Sequence, residues 1–188
     1  AVLSWGWNCE IYRFKAGSTD GEKLAGPSQT IGGLLHLPSC DAVLSWGEGG
    51  EIYRFKAEGT DGEKLAGPSR NIRGLLHLPS CDAVLSWGEG GEIYRYKAGG
   101  TDGEKLAGPS RNIVGLLHLP SWDAVLSWGE GGEIYRFKAG STDGEKLAGA
   151  SRTIRGLLHL PSCDAVLSWG EGGEIYRFNA GGTDGEKL

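Results

Sequence analysis

Short apolar runs alternate along the whole chain with glycine-rich polar connections. In the stretch Ala42-Val-Leu-Ser-Trp46, large residues fall on both faces, which predicts a strand packed between two layers. Gly47-Glu-Gly-Gly50 follows as a tight connection, since glycine reaches the positive φ values that hairpins need. Glu51-Ile-Tyr-Arg-Phe-Lys56 predicts a second strand, with Tyr53 and Phe55 on one face and Ile52, Arg54 and Lys56 on the other. Gly59-Thr-Asp-Gly62 carries the strongest short hairpin signal, Asp61–Gly62, and Lys64-Leu-Ala66 predicts a short third strand ended by Gly67–Pro68. The stretch Ser69 to Pro79 is ambiguous. Ser69 suits a helix N-cap, and Ile72, Leu75 and Leu76 fall at i, i+3 and i+4. Equally, Leu75-Leu-His-Leu78 fits a fourth strand after a glycine bend, and Gly74 weakens a helix by about 1 kcal/mol relative to alanine.

This pattern is one unit repeated. Ala-Val-Leu-Ser-Trp-Gly opens at Ala1, Ala42, Ala83, Ala124 and Ala165, giving units 1–41, 42–82, 83–123 and 124–164 and a partial unit 165–188. The copies are nearly identical. Gly49–Gly50 is Asn8–Cys9 in the first unit, and Pro68 is Ala150 in the fourth. A period in this range marks repeat architectures, in which neighbouring units stack to bury faces that none can bury alone. Two hairpins per unit exclude a helical solenoid. We therefore expect an all-β chain, with short helices between blades as a variant: a single β-propeller domain of four to five blades. A five-bladed ring would take its last Gly-Leu-Leu-His-Leu-Pro segment from further C-terminal residues or another chain.

Composition narrows the function classes. The 34 glycines recur at fixed places and act as turn punctuation. A net charge of −5 argues against a nucleic-acid or anionic-membrane partner. No apolar run reaches the length of a membrane span. The sequence has neither a methionine nor a signal peptide, so we expect a processed form or a fragment, and favour an extracellular protein.

The order of segments Asp82-Ala-Val-Leu85, Glu92-Ile-Tyr-Arg-Tyr-Lys97, Gly108-Pro-Ser-Arg-Asn-Ile113 and Gly115-Leu-Leu-His-Leu-Pro120 resembles hemopexin-like repeats. Trp46-Gly47, followed after three residues by Glu51-Ile-Tyr-Arg54, is also similar to tectonin-type lectin propellers. Both resemblances imply a propeller and differ on ligand. The hemopexin-like one implies a central channel where carbonyls near Asp41, Asp82, Asp123 and Asp164 hold a cation or chloride. No other cofactor is expected. From the residues alone, an aspartate at such a place more often caps a turn, and Thr60-Asp-Gly-Glu63 lacks the alternating acids of a calcium loop.

The repeated chemistry lies around the first hairpin. Trp46, Glu48, Glu51, Tyr53 and Arg54 recur as Trp87, Glu89, Glu92, Tyr94 and Arg95, and as Trp128, Glu130, Glu133, Tyr135 and Arg136. An aromatic face beside charged hydrogen-bonding groups suits a sugar, whose C–H face stacks while its hydroxyls need fixed partners. The opposing reading makes the aromatics core and the charges solvated rim. His36, His77, His118 and His159 occupy equivalent places among leucines. They form either a ring for haem iron or a metal, or a blade residue copied with its unit, and the second is favoured. Cys40, Cys81 and Cys163 share a position that Trp122 fills in the third unit, and only Cys9 lies elsewhere, so free, buried thiols are expected.

Repetition itself argues about function. An enzyme needs one asymmetric constellation, whereas every carboxylate here is copied, so no catalytic residue is assigned. Multivalent binding gains from copying. The leading expectation is a multivalent lectin binding glycans or glycoproteins, with homo-oligomerisation left open. A hemopexin-like binder of haem, a polyamine or an ion is the alternative, and a symmetric scaffold without ligand is a third.

Overall fold

The computed structural model describes residues 1–68, 70–108, 111–147 and 152–188. Ser69, weighed above as a helix cap, Pro109–Ser110 of the hemopexin-like pattern, and Ala150 lie outside the described residues. Among the described residues the chain is all-β, with nineteen strands in five antiparallel sheets. The first sheet holds β1 (Val2–Trp5), β2 (Ile11–Phe14) and β3 (Gly21–Leu24). The second follows the order β4 (Ile31–Leu37), β5 (Ala42–Gly47), β6 (Ile52–Lys56), β7 (Glu63–Lys64). The third repeats it with β8 (Ile72–Leu78), β9 (Ala83–Gly88), β10 (Ile93–Lys97) and β11 (Glu104–Lys105). The fourth is β12 (Ile113–Leu119), β13 (Ala124–Gly129), β14 (Ile134–Lys138) and β15 (Gly144–Leu147). The fifth is β16 (Ile154–Leu160), β17 (Ala165–Gly170), β18 (Ile175–Asn179) and β19 (Glu186–Lys187).

The ambiguous segment is a strand. Ile72–Leu78 and its copies each run beside the next Ala-Val-Leu-Ser-Trp strand. The helical spacing misleads because a register shift near the start of such a strand, seen between Ile31 and Gly33, accompanies buried positions three apart, at Ile72 and Leu75. Glycine is required there. A Cβ on Gly33, Gly115 or Gly156 would come within 2.4, 2.4 or 2.2 Å of the indole of Trp46, Trp128 or Trp169, which lies flat on that backbone. Each four-stranded sheet thus takes its first strand from the end of one 41-residue unit and its other three from the next.

The glycine connection behaves as expected. Gly50, Gly91, Gly132 and Gly173 have φ near +75° (+75°, +77°, +73° and +72°), and Cys9 adopts +62° in the same place. Asp61–Gly62 does not form the expected hairpin tip. The chain turns earlier, at Ala57–Glu58, and Asp61 instead makes a parallel bridge to Ala25 of the preceding sheet. Gly62 N–H donates to the Ala25 carbonyl at 2.6 Å, and a Cβ on Gly62 would meet the Phe55 ring at the same distance. Glycine stands there for close approach rather than for a turn.

Two compact units divide the chain, 1–86 with 94–104, and 87–93 with 105–188. In the first, Leu37, Leu44 and Ile52 of the second sheet pack on Leu75, Val84 and Tyr96 of the third. In the other, Leu119, Leu126 and Ile134 pack on Val166 and Phe178. Register explains the division of labour. The pairs Leu35–Leu44 and Leu44–Arg54 place one row on one face, while Val43–Phe55 and Ser45–Tyr53 face the other way.

Tyr96 replaces the phenylalanine found at residues 14, 55, 137 and 178. It is 1% exposed, and its hydroxyl makes no well-formed hydrogen bond, although the buried Ser86 hydroxyl beside it draws the phenol pKa down against burial. Burial pushes the Tyr96 phenol up to about 12. The folded state therefore keeps its proton where the unfolded phenol, near 10, loses it, so stability falls as pH rises through 10 toward 12. Tyr96→Phe is expected to stabilise the chain by roughly 1 kcal/mol at pH 7 by removing an unsatisfied hydroxyl. It is also expected to flatten the alkaline loss, both readable in urea melts at pH 7 to 11.

Candidate functional site

The five repeated hairpin residues do not gather at one point of their own sheet. Trp46 lies opposite Ile52, and Arg54 opposite Leu44, on one face. Tyr53 lies opposite Ser45 on the other face, paired across to Lys64, whose ammonium is 6.0 Å from the Tyr53 ring. Glu48 stands exposed at the hairpin tip. The aromatic residues instead share apolar clusters formed by successive sheets. Trp46 and Tyr94 pack on the same apolar cluster, and so do Trp128 and Tyr176.

Most of the charged candidates hold the fold. Arg54 is buried and donates to Glu63 at 2.5 Å and to the Gly100 carbonyl of the next sheet's loop at 3.1 Å. Arg95 bonds Glu104 at 2.6 Å, and Arg136 bonds Glu145 at 2.5 Å and the Gly182 carbonyl at 3.1 Å. Glu51 accepts from Lys64 at 3.0 Å and from the Ser28 backbone and hydroxyl at 3.1 and 3.0 Å. Burial pushes the Glu51 carboxyl up, but those donors outweigh it and hold it below the usual carboxylate range. Glu92 and Glu133 pair with Lys105 and Lys146, each at 2.7 Å. The indole N–H groups of Trp87 and Trp128 are buried. Glu130 is exposed and accepts from Asn112 at 2.9 Å, and Glu89 is half-buried.

A recess of about 430 Å³ opens at the first hairpin, lined by Trp5, Trp7, Thr30, Gly32, Gly47 and Glu48 among others. Trp7 is 89% exposed and Trp5 48%. Neither was singled out from sequence. The available signal was that Trp7 breaks the repeat, standing where the later units have Glu48, Glu89, Glu130 and Glu171.

Asp41, Asp82, Asp123 and Asp164 sit in the left-handed region, with φ of 46° or 47°, at the turn before each second strand. The carbonyls of Asp41, Asp82 and Asp123 accept from Ala57, Ala98 and Ala139 at 3.0, 2.8 and 2.9 Å. These aspartates shape turns, as short polar side chains tolerate that conformation. The histidines have a neighbour that sequence reasoning missed. Nε2 of His36, His77 and His159 lies 3.9, 3.7 and 3.4 Å from Oδ1 of the aspartate five residues on. Among the described residues no three His, Cys, Asp or Glu side chains cluster as a metal site. All four cysteines are free, but Cys40, Cys81 and Cys163 are exposed rather than buried, because their turn projects from the sheet end. No described helix is long and apolar enough to cross a membrane.

Trp122, which replaces the turn cysteine, has its own partner. Its Nε1 donates to Asp164 Oδ1 at 2.9 Å, alongside the Ser121 hydroxyl at 2.8 Å. No protein-family model matches the chain, and no curated protein matches it significantly.

The Ser121 hydroxyl foremost, then Trp122 and His159, hold the Asp164 carboxyl below the usual range. A depressed carboxyl lends its stability above the unfolded value of about 4 and loses it as pH falls through the lower folded value. Trp122→Cys, restoring the repeat residue, is expected to move the Asp164 pKa upward toward its ordinary value. An NMR titration of the side-chain carboxyl checks this.

Proposed function

We propose that this chain is a multivalent carbohydrate-binding β-propeller, with sugars held where the first hairpin of one sheet meets the next. The propeller arrangement is supported by the 41-residue period, by one antiparallel sheet per period, and by the resemblance to hemopexin-like and tectonin-type repeats. The observation that carries the ligand class is the recess at the first hairpin. Two exposed indoles stand beside the Thr30 hydroxyl and the exposed Glu48 carboxylate in about 430 Å³, within the size range of small-molecule sites. An indole presents an apolar plate to the C–H face of a sugar ring, and the carboxylate and hydroxyl supply fixed partners for its hydroxyls.

The later copies keep the tryptophan, the hairpin-tip glutamate and the tyrosine of the following sheet. Several shallow millimolar sites on one body give avidity that none has alone. Arg54, Glu51 and their copies serve this function by fixing the hairpins rather than by touching the sugar.

On a glycan array the chain is expected to bind a defined sugar class, with haemagglutination inhibited by the simple sugar. Trp7→Ala is expected to weaken the first site about tenfold or more, through the loss of roughly 1.5 kcal/mol of apolar burial. Tryptophan fluorescence titrated with that sugar measures it. Absence of glycan binding at millimolar sugar and high protein concentration overturns the proposal.

A further inference from the structure

The hairpin tips of the later sheets each carry a glutamate, at Glu48, Glu89, Glu130 and Glu171. In the fifth sheet Glu171 is paired with Arg155 of β16. In the fourth, Glu130 accepts from the Asn112 side chain at 2.9 Å. Glu89 is partnered as well. Glu48 differs. The repeat places Gly32 where Arg155 stands and Thr30 where Asn112 stands, and the Glu48 carboxylate has no hydrogen-bonding or ionic partner among the described residues. Gln29, beside Gly49, likewise replaces the arginine that lies beside Gly131 and Gly172 as Arg111 and Arg152.

The fold does not impose a glycine at residue 32. A Cβ on Gly33 would strike the Trp46 indole at 2.4 Å, whereas one on Gly32 would come no closer than 3.4 Å to that indole, and the Gly32 φ is not positive. The course that the Arg155 side chain takes in the fifth sheet is therefore open in the second, where Gly32 and Glu48 line the same recess of about 430 Å³. Trp7 lines it too, standing where the later units have their tip glutamate. Among the described residues lining it, Glu48 alone carries a charge. The recess thus combines an indole face with a carboxylate that has lost the cation its repeat partner keeps.

We propose that this recess selects a sugar carrying a protonated amine, whose ammonium stands beside Glu48 where the fifth sheet has its guanidinium; the inference rests on the sugar reading of the site given above. The three groups divide the recognition. The carboxylate pairs with the ammonium, which an exposed ion pair rewards modestly. The Trp7 indole attracts the same cation through its π face and stacks on the C–H face of the ring. Gly32 keeps the space clear. A neutral sugar retains only the stacking, and N-acetylation removes the charge that both other contacts need. The later hairpins, whose tip glutamates are already paired and which have no tryptophan at the Trp7 position, lack this preference.

The test titrates the whole chain with glucosamine and galactosamine, each beside its N-acetyl form and its neutral parent, and follows the Trp7 indole N–H signal by NMR. The amino sugars are expected to bind about tenfold more tightly than the acetylated and neutral forms, with the difference shrinking as salt is raised. Glu48→Gln is expected to bring that ratio close to one. Gly32→Arg, which restores the repeat residue, is expected to do the same by supplying the cation from within the chain. Unchanged amide signals in Ile154–Leu160 show that each variant keeps its fold. A ratio near one in the unaltered chain, with saturable sugar binding, overturns this inference and leaves the sugar reading standing. Absence of saturation by every sugar at millimolar concentration overturns both. A tenfold preference that survives Glu48→Gln and Gly32→Arg also overturns the inference, since the ammonium is then held elsewhere.

Discussion

The apolar contact between the leucine face of one sheet and the Leu-Val-aromatic face of the next governs both compact units. A four-stranded antiparallel sheet with large residues on both faces gains little from its own pairing and must find an apolar neighbour on each side. The register supplies two different faces from one sequence. Leu35, Leu37, Leu44, Trp46 and Ile52 point one way, and Leu34, Val43, Tyr53 and Phe55 the other. Identical units can then stack in series, each offering its neighbour a surface of a different kind. The buried arginine works within that frame. Arg54 reaches past its own Glu63 to the next sheet's loop, and Arg136 does the same past Glu145, so the guanidinium adds direction to a contact that apolar burial leaves non-directional.

The same demand explains the glycines. Within the second, fourth and fifth sheets an indole lies on the backbone of the first strand, which tolerates no Cβ at Gly33, Gly115 or Gly156. Between sheets, a parallel bridge from Ala25 to Asp61 brings two backbones within hydrogen-bonding distance and requires Gly62 beside it. Ala66 with Gly103, and Ala107 with Gly144, repeat the arrangement. Glycine in this chain relieves crowding as often as it permits a turn.

Period-two alternation made the strands around Ala42 and Tyr53 and their faces legible in the sequence, and the positive φ of the glycine connection followed from chemistry. Two things stayed hidden for physical reasons. Asp61–Gly62 has the residues of a hairpin turn, but its conformation answers to a backbone some 36 positions earlier, near Ala25, which local reasoning does not see. Ile72–Leu78 mimics a helix because a register shift moves its buried positions off strict alternation. The candidate site was legible in composition and not in geometry. Trp46, Tyr53 and Arg54 were singled out together because they are neighbours in sequence, yet adjacent strand positions face opposite ways. The aromatics that share one apolar cluster, Trp46 and Tyr94, belong to successive copies.

Repetition of sequence does not repeat the environment, and the departures from the repeat show it. Trp5 and Trp128 are the same residue of the same unit, yet one is half exposed and the other rests in a cluster with Leu117 and Tyr176. Trp7, Cys9, Tyr96 and Trp122 each replace a residue that the other copies share, and each meets a different surrounding. Trp7 stands in solvent, Cys9 takes a glycine's backbone conformation, Tyr96 buries a hydroxyl, and Trp122 gains an aspartate. Two of the four, Trp7 and Cys9, fall in the first hairpin. The hairpin where the sequence departs most from its own pattern is thus also where the indoles of Trp5 and Trp7 are most exposed. Any ligand that distinguishes one sheet from the next has the most to recognise there.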